Sequence, residues 1–282
     1  MVPLFDVPVL IRGGGDLASG VAYRLVQAGF PVFITELDKP TLVRPAVSYG
    51  TAIFHGTVMV EGITARRMTP DEGVAWVVHP GPDPLIPVAI DPDGTLIARL
   101  RAPVVIDARV AKVNLGTTIN DAPLVIGLGP GFTAGVDCHA VIETNRGHTL
   151  GRAIWHGSAE PDTGTPGKVN GKGAERVLRA PADGYVTRQM PIGTSVREGE
   201  TLAWIGDQPL LAPFDGMLRG LIHESVYVTA GLKIGDLDPR AQTEHCFTIS
   251  DKSLAVGGGA VEAVLAAPVV RRLIAHTISV TH

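Results

Sequence analysis

Cysteine is nearly absent from this chain of 282 residues: Cys138 and Cys246 are the only two, far apart in sequence. Two distant cysteines make no disulfide framework, so a reducing cytoplasm is the expected compartment. Charged residues are also few, at 18%, and the net charge of -4 comes with Lys and Arg scattered without runs. Nucleic acid is therefore not an expected partner, because its binding rests on clustered cations. No apolar run reaches the roughly 20 residues that cross a bilayer, so no membrane partner is expected. The opening MVPLFDVPVL places no basic stretch before an apolar one and leads directly into an expected strand. Hydrophobic residues are plentiful at 45%, with 34 glycines and 22 prolines. That mixture describes a folded chain of many turns and short strands, long enough for two domains.

The stretch from Val7 to Leu37 reads as a strand, a glycine turn, a helix from about Asp16 to Ala28, and a second strand ending at Glu36. In the turn, Gly13-x-Gly15-x-x-Ala18 fits the dinucleotide fingerprint. Gly13 allows the tight turn, Gly15 lets backbone approach a diphosphate, and Ala18 permits close helix–strand packing. The helix start, with Asp16, offers N–H groups and a positive dipole end to phosphates. Glu36 stands 23 residues after Gly13, near the place of an acid that binds a ribose hydroxyl. The bland alternative is a glycine-rich turn that packs well and binds nothing.

Beyond Glu36 the segment 37–50 reads as loop with a short helical turn, and 51–68 as two or three short strands forming a small inserted sheet. GVAWVVHPGPDP reads as another strand, followed by the strands IPVAI and APVVIDARV. The last of these ends at Asp107 and Arg109, placed either for ligand contact or as a structural ion pair. Pro123 to Gly135 is an apolar strand running into glycines. There Gly129, Gly131 and Thr133 are candidates for a second phosphate-contacting loop. VDCHAVIETNRGHTLGR follows, the densest cluster of reactive side chains. His139 and Glu143 share a face in either a strand or a helix. Cys138, His139, Glu143 and His148 are the candidate catalytic group, although a lone cysteine is more often a small buried hydrophobe. The spacing matches no diagnostic zinc pattern, and no metal site is assigned.

The polar, turn-rich stretch 157–176 reads as a linker, which bounds a first domain at 1–156. An internal repeat follows over 177–240: Ala180-Pro181-x-Asp183-Gly184 recurs 32 residues later as Ala212-Pro213-x-Asp215-Gly216. Val196 then matches Val228, and Gly199 matches Gly231. The pattern resembles the two halves of a biotinyl/lipoyl-type barrel-sandwich hybrid. Its joining stretch IGDQPLL has no lysine, so neither biotin nor lipoate is expected. The remainder, 241–282, holds a helix from about Asp251 to Ala266, and is expected to pack back on the first domain. No role is assigned to His276 or His282. The fold class expected is thus α/β, a Rossmann-like domain followed by a β-rich barrel-sandwich hybrid.

RGGGDLASGVAYRL, the segment from VVIDARV through ETNRGHTLGR, APADGYV and LKIGDLDPR together resemble the YqeB-type accessory proteins of selenium-dependent molybdenum hydroxylase systems. The likeness covers nearly the whole chain. In its Rossmann part that family is similar to maturation factors of xanthine dehydrogenase-like enzymes. The resemblance implies a role in assembling such enzymes, a molybdenum hydroxylase client as partner, and a dinucleotide or pterin dinucleotide (the molybdenum cofactor) as ligand. It transfers no catalytic residues. Two readings stand beside it: an NAD(H)-dependent oxidoreductase and a non-catalytic scaffold with a vestigial nucleotide site. A homo-oligomer is compatible with all three.

Overall fold

The computed structural model describes residues 3–81, 83–162, 164 and 170–280, with side chains as far as residue 276. Residues 163 and 165–169 of the expected linker, and His282, lie outside the described residues. Strand β1 (Val9–Arg12), helix α1 (Asp16–Gln27) and strand β2 (Val32–Glu36) begin the chain. Two 3-10 turns, Pro45–Val47 and Tyr49–Thr51, and the short helix α2 (Ala52–His55) lead into the hairpin β3 (Thr57–Val60) and β4 (Ile63–Arg67). Next come α3 (Pro70–Val78), β5 (Leu85–Ile90), α4 (Thr95–Leu100), β6 (Val104–Asp107) and β7 (Leu124–Leu128). The short strands β8 (Thr133–Ala134), β9 (Ala140–Ile142), β10 (Ala153–Ile154) and β11 (Gly157–Ser158) complete this half.

Nine of these strands form one sheet in the order β10-β9-β7-β6-β1-β2-β5-β4-β3. The seven inner strands are parallel, and β3 and β10 at the edges run antiparallel to their neighbours. Parallel strands are covered on both faces, which is why they read as unbroken apolar runs. Val9, Ile11, Val32 and Ile34 join the core shared with α1. Leu10, Phe33 and Val105 pack instead with Val77 of α3 and Leu96 of α4.

Two sequence expectations need correction. GVAWVV is not a strand but most of α3, because Thr69 and Glu72 form a capping box and Pro70 opens the helix. Of the two or three strands expected over 51–68 there are two, β3 and β4, after the helical residues 52–55. That hairpin is not a separate inserted sheet; β4 pairs with β5 and extends the main sheet.

The repeat builds two four-stranded antiparallel sheets, β12-β19-β17-β14 and β16-β15-β13-β18. Their strands are β12 (Val177–Arg179), β13 (Gly184–Thr187), β14 (Ser195–Val196), β15 (Thr201–Ile205), β16 (Gln208–Leu211), β17 (Gly216–Leu221), β18 (Tyr227–Val228) and β19 (Lys233–Asp238). The copies interlock: β13 pairs with β18, and β14 with β17, so each copy supplies an edge to the other. The reciprocity extends to single bonds. Asp183 Oδ1 accepts from the Ala230 N–H at 2.7 Å, and Asp215 Oδ1 from the Glu198 N–H at 2.8 Å. The Asp of the APxDG motif thus holds the turn of the opposite copy, which accounts for its presence twice.

The chain ends in α5 (Glu244–Phe247), α6 (Asp251–Ala266) and α7 (Pro268–Val280), with α6 laid against α1. This contact explains glycines in a helix that would otherwise disfavour them. A Cβ at Gly257 would lie 2.4 Å from the Gly20 carbonyl oxygen, and one at Gly20 2.3 Å from that of Ser253. The repeat unit approaches the first half just as closely: a Cβ at Gly220 would lie 2.1 Å from the Val43 carbonyl oxygen. In the other copy the matching residue is Arg188. Among the described residues no single helix is long and apolar enough to cross a membrane.

Gly257 and Gly258 make a sharp comparison, because no atom lies within 4 Å of a Cβ built at Gly258. Gly257→Ala should destabilise by about 1–3 kcal/mol through overpacking. Gly258→Ala should be neutral, or stabilising by up to about 1 kcal/mol from helix propensity. Urea denaturation of the two variants checks this, and equal effects would contradict the close α1–α6 contact.

Candidate functional site

The carboxyl ends of the parallel strands converge on one cavity of about 1040 Å³. Gly13 after β1, Glu36 ending β2, Asp91 after β5, Arg109 after β6, Pro130 after β7 and Thr144 after β9 all line it. The opposite wall is the repeat unit, through Arg176, Arg179, Arg219, Lys233 and Asp236. The cavity sits where the strand order reverses, since β1 lies between β2 on one side and β6 on the other. Open α/β sheets hold their ligands at that edge.

The glycine turn is shaped by its neighbours. Gly13 has φ +97° and donates its N–H to the Thr35 carbonyl at 2.8 Å. The Gly14 N–H donates to Glu36 Oε1 at 2.7 Å, while its carbonyl accepts from the Gly50 N–H at 2.9 Å. Gly15 caps α1 without any side-chain cap. The nearest atom to a Cβ built there is 3.9 Å away, on Leu42, so the space before the helix is open. The first amides of α1 have no acceptor within the helix and carry its positive dipole end. Ala18 is fully buried within α1, as a close helix–sheet contact requires.

Glu36 does more than face the cavity. Its second oxygen accepts from the Leu37 N–H at 2.8 Å, so the carboxylate pins the turn to the end of β2. Burial raises its pKa and these two N–H groups oppose the rise. A carboxylate has about four acceptor sites, so a ligand hydroxyl can still be received. Asp16, in the first turn, accepts from Arg44 Nη1 at 3.0 Å and from Ser253 Oγ at 3.1 Å. Its negative charge at the mouth of the turn is thereby offset by a cation that is itself buried.

The cavity is basic although the chain is acidic. Its described lining has eleven Lys and Arg against seven Asp and Glu, whereas the whole chain has a net charge of -4. Many of these cations are paired. Arg109 bonds Asp107 through Nη2 at 2.5 Å, and Thr117 Oγ1 donates to the same carboxylate at 2.6 Å. Burial favours a raised Asp107 pKa, but the bonds from Arg109 and Thr117 outweigh it and hold the carboxyl below its usual range. Lys233 and Lys252 differ in making no ion pair or hydrogen bond among the described residues. Desolvation lowers the pKa of both; Asp236 and then Asp16 oppose this at Lys233, and Asp16 opposes it at Lys252.

Gly13, Gly15, Asp16, Ala18 and Glu36 therefore meet at one cavity, where Arg109 joins them, while Gly129, Gly131, Thr133, Cys138, His139, Glu143 and His148 do not. The Gly129 N–H donates to the Ile142 carbonyl, and a Cβ on Gly131 would strike the backbone of Val113 at 2.8 Å. Thr133 donates its N–H to Asp137 and pairs its hydroxyl with Ser158. This second glycine turn is packed against the 112–113 loop, and only Pro130 of it reaches the cavity. His139 and Glu143 flank β9 at its two ends, roughly 13 Å apart by strand rise. His139 Nδ1 accepts from the Val125 N–H at the start of β7. Glu143 is buried and accepts from the Asn145 and Glu160 N–H groups. Cys138 is fully buried among Val125, Phe132 and Val141, and burial pushes its thiol up to about 11. His148 is exposed outside the cavity lining. Among the described residues no group of His, Cys, Asp and Glu could hold a metal ion.

The sequence reading missed Arg44, Lys233 and Lys252. One signal was present: the second repeat copy has Lys233 where the first has Thr201.

Fold and cavity together define a two-part α/β protein with a basic cleft between a parallel sheet edge and a repeat unit. No family model matches the chain. Over 257 residues, 91% of the chain, it is 48% identical to the Escherichia coli (strain K12) protein named "Uncharacterized protein YqeB". The YqeB-type resemblance of its motifs therefore holds, although the chain spans about half the length of that relative, 47%. A crystal structure of a succinylglutamatedesuccinylase/aspartoacylase from Rhodobacter sphaeroides is 17% identical, covering 83% of this chain and 85% of that one. Its TM-score of 0.26 is too low to carry an argument.

Burial of Cys138 and Cys246 makes a direct prediction. In the folded protein at about pH 8, neither thiol should react with a disulfide-exchange reagent on the timescale of free cysteine. Both should react at once in denaturant. A fast-reacting native thiol would show that one of them is presented to solvent.

Proposed function

We propose that the chain binds a nucleotide or a nucleotide-bearing cofactor, with the ligand's phosphates seated between the head of α1 and the repeat unit. The observation that carries this reading is the basic cavity of about 1040 Å³ at the carboxyl edge of the sheet in an otherwise acidic chain. A vestigial site would be filled by side chains; the open approach to Gly15 favours a working one. We take the first half as Rossmann-like, on the strength of the β1–glycine turn–α1–β2 unit beside the strand-order reversal. We take the repeat unit as a barrel-sandwich hybrid, on the strength of its reciprocal strand exchange. Its β15–β16 turn, Gly206-Asp207, offers no lysine for biotin or lipoate. The YqeB-type resemblance supplies the setting: maturation of selenium-dependent molybdenum hydroxylases, with a pterin dinucleotide as a fitting ligand and the client enzyme as partner.

Thermal-shift and calorimetric measurements with NAD(H), ADP-ribose, ATP, CTP, pterin dinucleotides and the parent nucleosides test the reading. A ligand at 100 times its Kd should add about 2.7 kcal/mol of stability. Phosphorylated ligands should stabilise and bare nucleosides should not. Binding of NAD with turnover of its nicotinamide absorbance would favour the oxidoreductase alternative. A panel in which nothing binds would remove the nucleotide reading.

A further inference from the structure

The two copies of the repeat share a backbone plan, so the side chains that differ between them show what one copy does that the other does not. The second copy places Arg219, Lys233 and Asp236 in the cavity wall. The matching residues of the first copy, 32 positions earlier, are Thr187, Thr201 and Trp204, and none of these lines the cavity. The fold of the unit thus requires no charge at these positions. Arg219 and Asp236 pair with each other, Nε to Oδ2 at 2.6 Å. That leaves Lys233 as the charge with no local purpose.

Lys252, in the first turn of α6, is in the same condition on the other side of the opening. The Asp16 carboxylate pulls on both lysines, after Asp236 in the case of Lys233. Both Asp16 oxygens are already occupied, one by Arg44 and one by Ser253. Lys233 is exposed and Lys252 half-buried at this opening, and two cations that face one cleft without an ion pair favour an anion that brings its own charge. Beside Asp16 the amides at the start of α1 also lack partners, which gives a second set of donors for the same anion.

We propose that Lys233 and Lys252 grip the diphosphate of the ligand opposite the α1 amides, so that the second repeat copy completes the phosphate site. The inference rests on the nucleotide reading above and narrows it to ligands with a diphosphate, whose two phosphoryl groups offer one anionic centre to each of the two lysines. It also gives the repeat unit a role without a covalent cofactor: ligand binding ties it to the sheet.

The test is calorimetry on the full chain with inorganic pyrophosphate, ADP-ribose and AMP. The variants are Lys233→Thr, which installs the first copy's own residue, and Lys252→Gln. Arg197→Gln, an exposed position outside the cavity, controls for net charge. The wild-type chain should bind ADP-ribose and pyrophosphate more tightly than AMP. Each lysine variant should weaken both diphosphates by about tenfold or more, the scale of a lost charged hydrogen bond. Arg197→Gln should change nothing, and all variants should melt with the wild type. Wild-type binding that persists undiminished in both lysine variants overturns this inference and leaves the nucleotide reading standing. AMP binding as tightly as ADP-ribose overturns the diphosphate assignment. If no phosphate ligand binds the wild-type chain, both readings fall together.

Discussion

Three distant stretches of chain meet at one carboxylate. Asp16 begins α1, accepts a buried guanidinium from Arg44 and a hydroxyl from Ser253, and thereby ties the glycine turn to the 3-10 region and to the start of α6. Arg44 continues the tie, donating from Nη2 to the His245 carbonyl at 3.0 Å just before α6. An isolated buried charge is strongly unfavourable, so neither Asp16 nor Arg44 can be placed without the other. The head of α1 has no side-chain cap because its N-cap residue is Gly15.

Close backbone approaches then fix the two halves around that point. Gly20 and Gly257 bring α1 and α6 to near contact, and Gly220 lets β17 meet the backbone at Val43. Charges also brace the repeat unit itself: the fully buried Asp238 accepts from Arg219 Nη1 at 3.2 Å and from Arg240 Nη2 at 2.6 Å. Burial favours protonation of Asp238, but Arg240 and Arg219 outweigh it and hold the carboxyl far below its ordinary range. The cavity is what remains between two surfaces held this firmly, and its cations come from both.

The sequence disclosed what is local or repeated. Gly13, Gly15, Ala18 and Glu36 lie within one strand–turn–helix–strand unit, so their spacing reports their geometry. The Asp183 and Asp215 motifs stood out because the same bond is made twice, 32 residues apart. The helix α3 was misread from its apolar run although its cap, Thr69-Pro70-Asp71-Glu72, was in plain view. Of the 137–148 cluster Asn145 and Arg146 reach the cavity, but a shared face is not a shared place: His139 and Glu143 sit at opposite ends of a three-residue strand. Lys233 and Lys252 could not be paired with α1 from the sequence, since more than 200 residues separate them from Asp16. Only folding brings them together.

The most direct measurement is amide hydrogen exchange followed with and without saturating ADP-ribose. Binding across the cavity predicts slowed exchange in two separate stretches at once, around Gly13–Ala18 and around Lys233–Asp238. Protection confined to one half of the protein, or appearing only at surfaces outside the cavity, would contradict a ligand site built from both.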